Sequence, residues 1–357
     1  MQKVHSMLNL FIFLTTIAFF IYLFTFIDNT SISRSQIARP EFKYFISSND
    51  QKGSDYNLWL IFTKVVEQTP LYHNFQRLIE NLLAVTSVPI DLHVITDDAS
   101  KQIAIEIFQQ MKSNVNASKI TYQFYNVSDF ASSIKDIVEA MTPHFSSRPG
   151  TYYSDALFYI SLGIYRLAPM NQKLAVMIDC DVHFKQDVAL LFDQFKYFRE
   201  GELFALAPEL SIVYRHILYS YKQKHNTTFG EYLHAKPINQ TFEAPQHPKG
   251  FPGYNSGVVL FNLTAIRNSS TYRQVIKKES VDAMVGKYRF RGHLGDQDFY
   301  TLLGYEHPEM IRMLSCAFNR QLCTWWRDKG EKGVFDKYFQ CDDDIVVLHG
   351  NCNTRMD

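Results

Sequence analysis

A short apolar run, Leu174-Ala175-Val176-Met177-Ile178, stops abruptly at Asp179-Cys180-Asp181. Five β-branched and aliphatic residues led in by Lys173 read as a buried strand. A strand of this kind belongs in an α/β sheet, whose ligands usually lie beyond the carboxyl ends of its strands. Two carboxylates at i and i+2 share one face and can reach one cation. Hard oxygen ligands suit Mg²⁺ or Mn²⁺, ions that commonly bridge to a substrate phosphate. A solvated acidic turn is the plain alternative for so short a motif, so the rest of the chain has to decide.

The flanking pattern supports the α/β reading. Apolar runs over 58–62, 90–96, 121–125, 258–263 and 345–348 read as strands. Helical periodicity falls at 75–85, at 101–112 behind the capping pair Asp97-Asp98, and at 154–167, which Pro169 stops. Strands that alternate with helices imply a mostly parallel sheet flanked by helices, and one catalytic domain over 56–357. Acidic and basic residues balance at 36 each, so nothing points to nucleic acid as a partner.

The N-terminus tells of the compartment. Residues 8–27 form an uncharged stretch long enough to span a bilayer, without a small-residue cleavage pattern. It is read as an uncleaved signal anchor, with a cytoplasmic tail over 1–7 and a lumenal stem over 28–55. This makes a single-pass type II membrane protein with a lumenal bulk. Sequons at Asn29, Asn116, Asn126, Asn226, Asn239, Asn262 and Asn268 agree with that orientation, although Asn262 falls in an expected strand. Cys316, Cys323, Cys341 and Cys352 crowd the C-terminal end while Cys180 stands alone. Four such cysteines imply two disulfides with three ways to pair; a zinc site is the competing reading, although no CxxC is present.

Three further segments carry chemistry. Pro252-Gly253-Tyr254-Asn255-Ser256-Gly257 reads as a glycine-flanked turn that offers neutral hydrogen bonds before an apolar strand. Arg291-Gly292-His293-Leu294-Gly295-Asp296-Gln297-Asp298 packs an imidazole, an amide and two carboxylates before a helix at 299–303, where Asp296 could equally be a cap. His349-Gly350-Asn351-Cys352-Asn353 follows the strand at 345–348, and a neutral imidazole there would complete an Asp-Asp-His site.

In this order, the DxD, PGYNSGVVLFNL, GHLGDQD and a near-terminal HGN resemble the retaining glycosyltransferases of family 8, nucleotide-sugar enzymes on the GT-A fold. Asn319 to Asp328, reading NRQLCTWWRD, narrows the resemblance to a pentose-transferring member. The resemblance implies a UDP-xylose donor and an α1,3 linkage onto the xylose of xylosyl-glucose on EGF repeats of Notch-type glycoproteins. It also implies the endoplasmic reticulum membrane, with the Golgi as alternative. It assigns Asp179, Asp181 and His349 to Mn²⁺, or Mg²⁺ in its place. Phe62, Thr63 and Lys64 fall to the nucleotide, with Cys180, Ser256, His293 and Leu294 also along the substrate; the Cys180 thiol itself is expected to point into the core and stay free. Gly350 and Asn351 would cradle the diphosphate. Gln297, Asp296 and Asn255 would line the reacting centre, Gln297 beside the anomeric carbon. Trp325 and Trp326 would form an acceptor platform, or a buried pair behind the disulfides. Cys316 would pair with Cys341 and Cys323 with Cys352. Tyr152-Tyr153 is followed by Ser154-Asp155, where many family members have Arg, which fits a donor lacking a C6 hydroxymethyl. Other outcomes are a different family 8 transferase, adding the inner xylose or a hexose, or an inactive lumenal sugar-binding protein on the same fold.

Overall fold

The computed structural model describes residues 55–354 and 356, apart from 115, 147–155 and 215–251. The expected tail (1–7), anchor (8–27) and all of the stem up to residue 54 lie outside the described residues. So do the sequons at Asn29, Asn226 and Asn239, and the segment Tyr152 to Asp155. Among the described residues, no helix is long and apolar enough to cross a membrane.

Ten strands are described: β1 (Asn57–Ile61), β2 (Ile90–Thr96), β3 (Ile120–Asn126), β4 (Leu174–Ile178), β5 (Val182–Phe184), β6 (Phe204–Pro208), β7 (Tyr254–Asn262), β8 (Ile311–Met313), β9 (Arg320–Gln321) and β10 (Val347–His349). Seven build the main sheet in the order β3-β2-β1-β4-β7-β6-β8. Its strands run parallel except β7, which pairs antiparallel with both β4 and β6. β5, β10 and β9 form a second, small sheet.

The period-two alternation of each strand divides the interior in two. Leu58, Leu60, Val94, Val176, Ile178 and Leu260 face one core, closed by the helices Pro70–Val85 and Asp98–Gln110. Trp59, Ala175, Met177, Phe204, Val259 and Phe261 face the other, closed by Lys135–Phe145, Ile160–Leu167 and Asp296–Glu306. Each fully buried aliphatic side chain contributes on the order of 1.5–3 kcal/mol, so a strand apolar on both faces is stable only between two helical layers.

Four expectations are refined. The segment from Tyr254 to Gly257 is part of β7 rather than a turn. The register on β6 jumps from Leu206↔Val259 to Ala207↔Asn255, so 256–258 bulge against β6 while Val258 still pairs with Ile178. A bulge re-aims side chains, and here Asn255 bonds to Glu209 and Asn319 while Ser256 bonds to Asp296. Of the helix expected at 154–167, residues 154–155 lie outside the described residues, 156–157 are helical, and after a turn at 158–159 the helix Ile160–Leu167 follows; the one expected at 299–303 is longer, Asp296–Glu306. The strand expected at 345–348 lies at Val347–His349, in the small sheet, so His349 reaches the DxD from a separate layer.

Candidate active site

Asp179 leaves β4 with its N–H donating to Gly257 O at 3.0 Å, and Asp181 precedes β5. His349, at the end of β10, pairs with Val182 across the small sheet, and Gly350 N–H donates to Asp181 O at 2.7 Å. These backbone bonds bring the imidazole Nε2 to 3.6 Å from Asp179 Oδ2 and 3.4 Å from Asp181 Oδ1. One ligand atom from each residue lies within 4.8 Å of the others, spacings that fit the shell of one hard divalent ion. Gly257 makes room for this: a Cβ there would stand 2.1 Å from His349 Cε1.

Charge in the triad is shared. Burial alone would lower the His349 imidazole, but Asp181 and Asp179 outweigh it and raise it. Burial pushes Asp181 up, yet the bond to His349 overcomes this and holds the carboxyl below its usual range. Asp179 is raised by its depth in the molecule and by Asp181, eased by His349, although 60% of its side chain is open to solvent. Without a cation, a proton on the imidazole is what keeps the two carboxylates together.

Behind the triad lies a chain of side-chain hydrogen bonds. His349 Nδ1 lies 2.9 Å from Asn319 Oδ1, and Asn319 Nδ2 donates to Asn255 Oδ1 at 2.8 Å. Asn255 Nδ2 donates to Glu209 Oε2 at 2.9 Å, and Gln297 Nε2 donates to the same oxygen at 3.1 Å. An amide oxygen only accepts, so His349 Nδ1 carries a proton in either charge state, and it is Nε2 that is free to lose its own and present a lone pair to a cation. Asp296 accepts from Ser256 Oγ at 3.0 Å and from Ser161 Oγ; burial raises it to about 6 against those donors. Asp298 accepts from Tyr214 OH at 2.9 Å and from Leu294 N–H at 2.6 Å, and burial raises it to about 7.

The remaining expected residues fall into two groups. Thr63 and Lys64 border the end of β1, where Asp97 Oδ2 accepts from Thr63 Oγ1 and from Lys64 N–H, both at 2.6 Å. Ser256, Gln297, Asp296 and Gly350 gather around the triad, while His293 is exposed and Leu294 is half-buried. Phe62, Cys180, Asn351 and Asn255 have side chains committed to partners inside the protein, as expected for the Cys180 thiol. Phe62 stacks on Phe75 at 4.1 Å in the core, so only its backbone can face a ligand. Cys180 is a free, buried thiol donating to Ile61 O, away from the carboxylates. Asn351 Oδ1 accepts from Leu322 and Cys323 N–H, both at 3.0 Å, which braces its loop. Asn255 is 4% exposed and bonded at both ends of its amide, to Glu209 and to Asn319 behind His349.

Trp325 is half-exposed and meets Trp326 edge-on at 4.7 Å, so the pair is not buried behind the disulfides. Cys316–Cys341 and Cys323–Cys352 are bridged. Sequence reasoning missed Glu209, Asn319, Tyr214 and Ser161. Glu209 had a signal: Phe204-Ala205-Leu206-Ala207-Pro208 is another apolar run ending in an acid, and β6 runs parallel to β4.

No family model matches the chain. Over 306 residues it is 36% identical to Xyloside xylosyltransferase 1 of Mus musculus and 37% identical to that of Homo sapiens, covering 85% of this chain and 75% of each relative. The crystal structure of mouse Xyloside xylosyltransferase 1 in its apo form superimposes with a TM-score of 0.74 at 34% identity, covering 85% of this chain and 99% of that one. The fold is thus the GT-A type, with the mostly parallel sheet seen here. A DxD closed by a histidine from the far end of the chain, together with this similarity, establishes that the chain is a glycosyltransferase and belongs to the xyloside xylosyltransferase family.

Proposed function

We propose that the enzyme transfers xylose from UDP-xylose, with retention, in α1,3 linkage to the xylose of xylosyl-glucose on EGF repeats. Supporting this reading is the closure of Asp179, Asp181 and His349 around one ion-sized space in a chain of this family. Two carboxylate oxygens and one neutral imidazole suit Mn²⁺, with Mg²⁺ as the nearest substitute. Such an ion would supply Lewis-acid stabilisation of the departing diphosphate.

The surrounding residues fit a front-face displacement. A double displacement needs a carboxylate free to attack the anomeric carbon. Gln297 offers a neutral amide there, with its Oε1 facing Ser256 N–H at 3.3 Å. The adjacent carboxylates are occupied: Asp296 by two serines, Asp298 by Tyr214 and Leu294, and Glu209 by two amides. The acceptor 3-hydroxyl would then bond to C1 on the face that UDP leaves, and the leaving phosphate oxygen would take its proton. A trapped xylosyl ester on Asp296, Asp298 or Glu209 would overturn this step.

The deciding experiment is a transfer assay on a synthetic xylosyl-glucosyl EGF repeat. UDP-xylose, UDP-glucose and UDP-galactose are compared, each with Mn²⁺ and with EDTA. The expected result is xylose transfer with Mn²⁺ alone; glucose or galactose transfer, or full activity in EDTA, sinks the reading. We further place the enzyme in the endoplasmic reticulum as a type II membrane protein, the apolar stretch 8–27 supporting the anchor and the family resemblance the compartment. Fractionation that finds it in the Golgi would correct this.

A further inference from the structure

We propose that Glu209 is a positioning residue for the metal centre, acting on His349 through a one-way chain of two side-chain amides. The proposal rests on Asp179, Asp181 and His349 being a cation site.

Glu209 is 3% exposed, and its partners are Asn255 Nδ2 and Gln297 Nε2 on Oε2, Ser211 N–H on Oε1 at 2.8 Å, and the Ser211 side chain. Two amino groups converge on Oε2, which leaves no room for a hydrogen on that oxygen. Glu209 Oε2 is therefore held as an acceptor. It takes the amino end of Asn255 and leaves only Asn255 Oδ1 for Asn319 and for Gly257 N–H, at 2.8 and 3.0 Å. Asn319, 0% exposed, must then give its amino end to Asn255 and keep its oxygen for His349. The oxygen accepts Nδ1–H, and the Nε2 lone pair is left for the ion.

A carboxylate that orients a metal-bound histidine usually touches it directly. Here two amides stand between, with every dipole pointing the same way, so the tautomer is set at a distance. Because Gln297 shares the same Glu209 oxygen, one carboxylate orients both the metal ligand and the amide facing the donor sugar.

The test uses the full-length protein without nucleotide sugar, titrated with Mn²⁺ while the free ion is read by electron paramagnetic resonance. Metal-free thermal unfolding is followed in parallel. Loss of binding in Asp181→Asn secures the cation site. In Glu209→Gln, the new amino group opposes either those of Asn255 and Gln297 or the N–H of Ser211. We expect about tenfold weaker Mn²⁺ binding, with a metal-free midpoint no lower than that of the natural protein. Adding Asn319→Asp places a carboxylate directly on Nδ1–H and lets Asn255 turn over, so most of the affinity returns. Asn319→Leu breaks the chain at its other link and is expected to weaken Mn²⁺ by a similar factor. Undiminished Mn²⁺ affinity in Glu209→Gln or Asn319→Leu, with Asp181→Asn inactive in binding, overturns the relay alone. So does an Asn319→Asp addition that restores nothing, or a fallen metal-free midpoint with affinity intact. If the natural protein binds no Mn²⁺, the cation site itself fails.

Discussion

Gly257 shows how a single missing carbon decides whether this site can exist. Its ideal Cβ would stand 2.1 Å from one imidazole atom and 2.5 Å from another, so Gly257→Ala must move the ring of His349 or the bulge of β7. We expect Mn²⁺ affinity to fall about 10–100-fold, read by the same ion titration. Asp97 acts as locally, capping the helix Asp98–Gln110 through Ser100 N–H while also holding Thr63 and Lys64. Lys64 sits at φ 56°, a conformation that a non-glycine residue keeps only when its neighbours hold it. Asp97→Ala should cost about 1 kcal/mol from the cap alone and raise the KM for the nucleotide sugar more than it lowers kcat. Burial raises the Asp97 carboxyl, but four hydrogen bonds outweigh it and hold the carboxyl well below the usual range. Its contribution is therefore present above the unfolded value near 4 and is lost as pH falls, and Asp97→Ala should flatten that acid limb of stability. Asp97 was legible in the sequence because capping is a local pattern. Glu209 and Asn319 were not, since their partners lie 46 and 64 residues away from them at Asn255.

At the level of the element, the strand carrying His349 behaves unlike any in the main sheet. β10 has three residues, and its last one is the ligand. It is held by β5 on one side and β9 on the other, by Leu322 N–H to His349 O at 3.0 Å, and by the bridge Cys323–Cys352. Removing the last nine residues, 349–357, takes away the ligand and this bridge together. We expect such a truncation to bind Mn²⁺ no better than Asp181→Asn, measured on the same titration. The bridge alone closes 29 residues, a span for which its loss costs about 3–4 kcal/mol. Cys352→Ser should lower the thermal midpoint accordingly. Most elements could be read from periodicity: β2 and β4 lie where their apolar runs place them. The short strands β5, β8 and β9 could not, because two or three residues carry no period. The bulge in β7 was equally hidden, since it depends on β6 and β4 pulling different registers from one strand.

For the whole molecule, the triad links cation binding to stability and pH. Binding needs a neutral His349 and ionised carboxylates, so the ion displaces protons. His349 and Asp179 are both raised in the metal-free protein. A raised His349 stabilises the metal-free fold below the unfolded value of 6.5 and loses that contribution as pH rises through its folded value. The same rise frees the site for Mn²⁺, so both effects enlarge the stabilisation by Mn²⁺ as pH increases. At an ion concentration 100-fold above Kd the gain is about 2.7 kcal/mol. The Mn²⁺-dependent shift in thermal midpoint should be larger at pH 8 than at pH 6; a shift that grows toward pH 6 would contradict the assigned protonation. The sequence by itself determined the α/β class, the carboxylate pair at a strand end and the residue types that could join it. Each of those follows from period and spacing along a few neighbouring positions. Only the tertiary structure decided that a small second sheet delivers His349, that Asn255 and Asn351 turn inward as braces, and that Glu209 stands behind them. Those outcomes depend on which strands pair and in what register, and hydrogen bonds between residues far apart in the chain have no signature in local pattern.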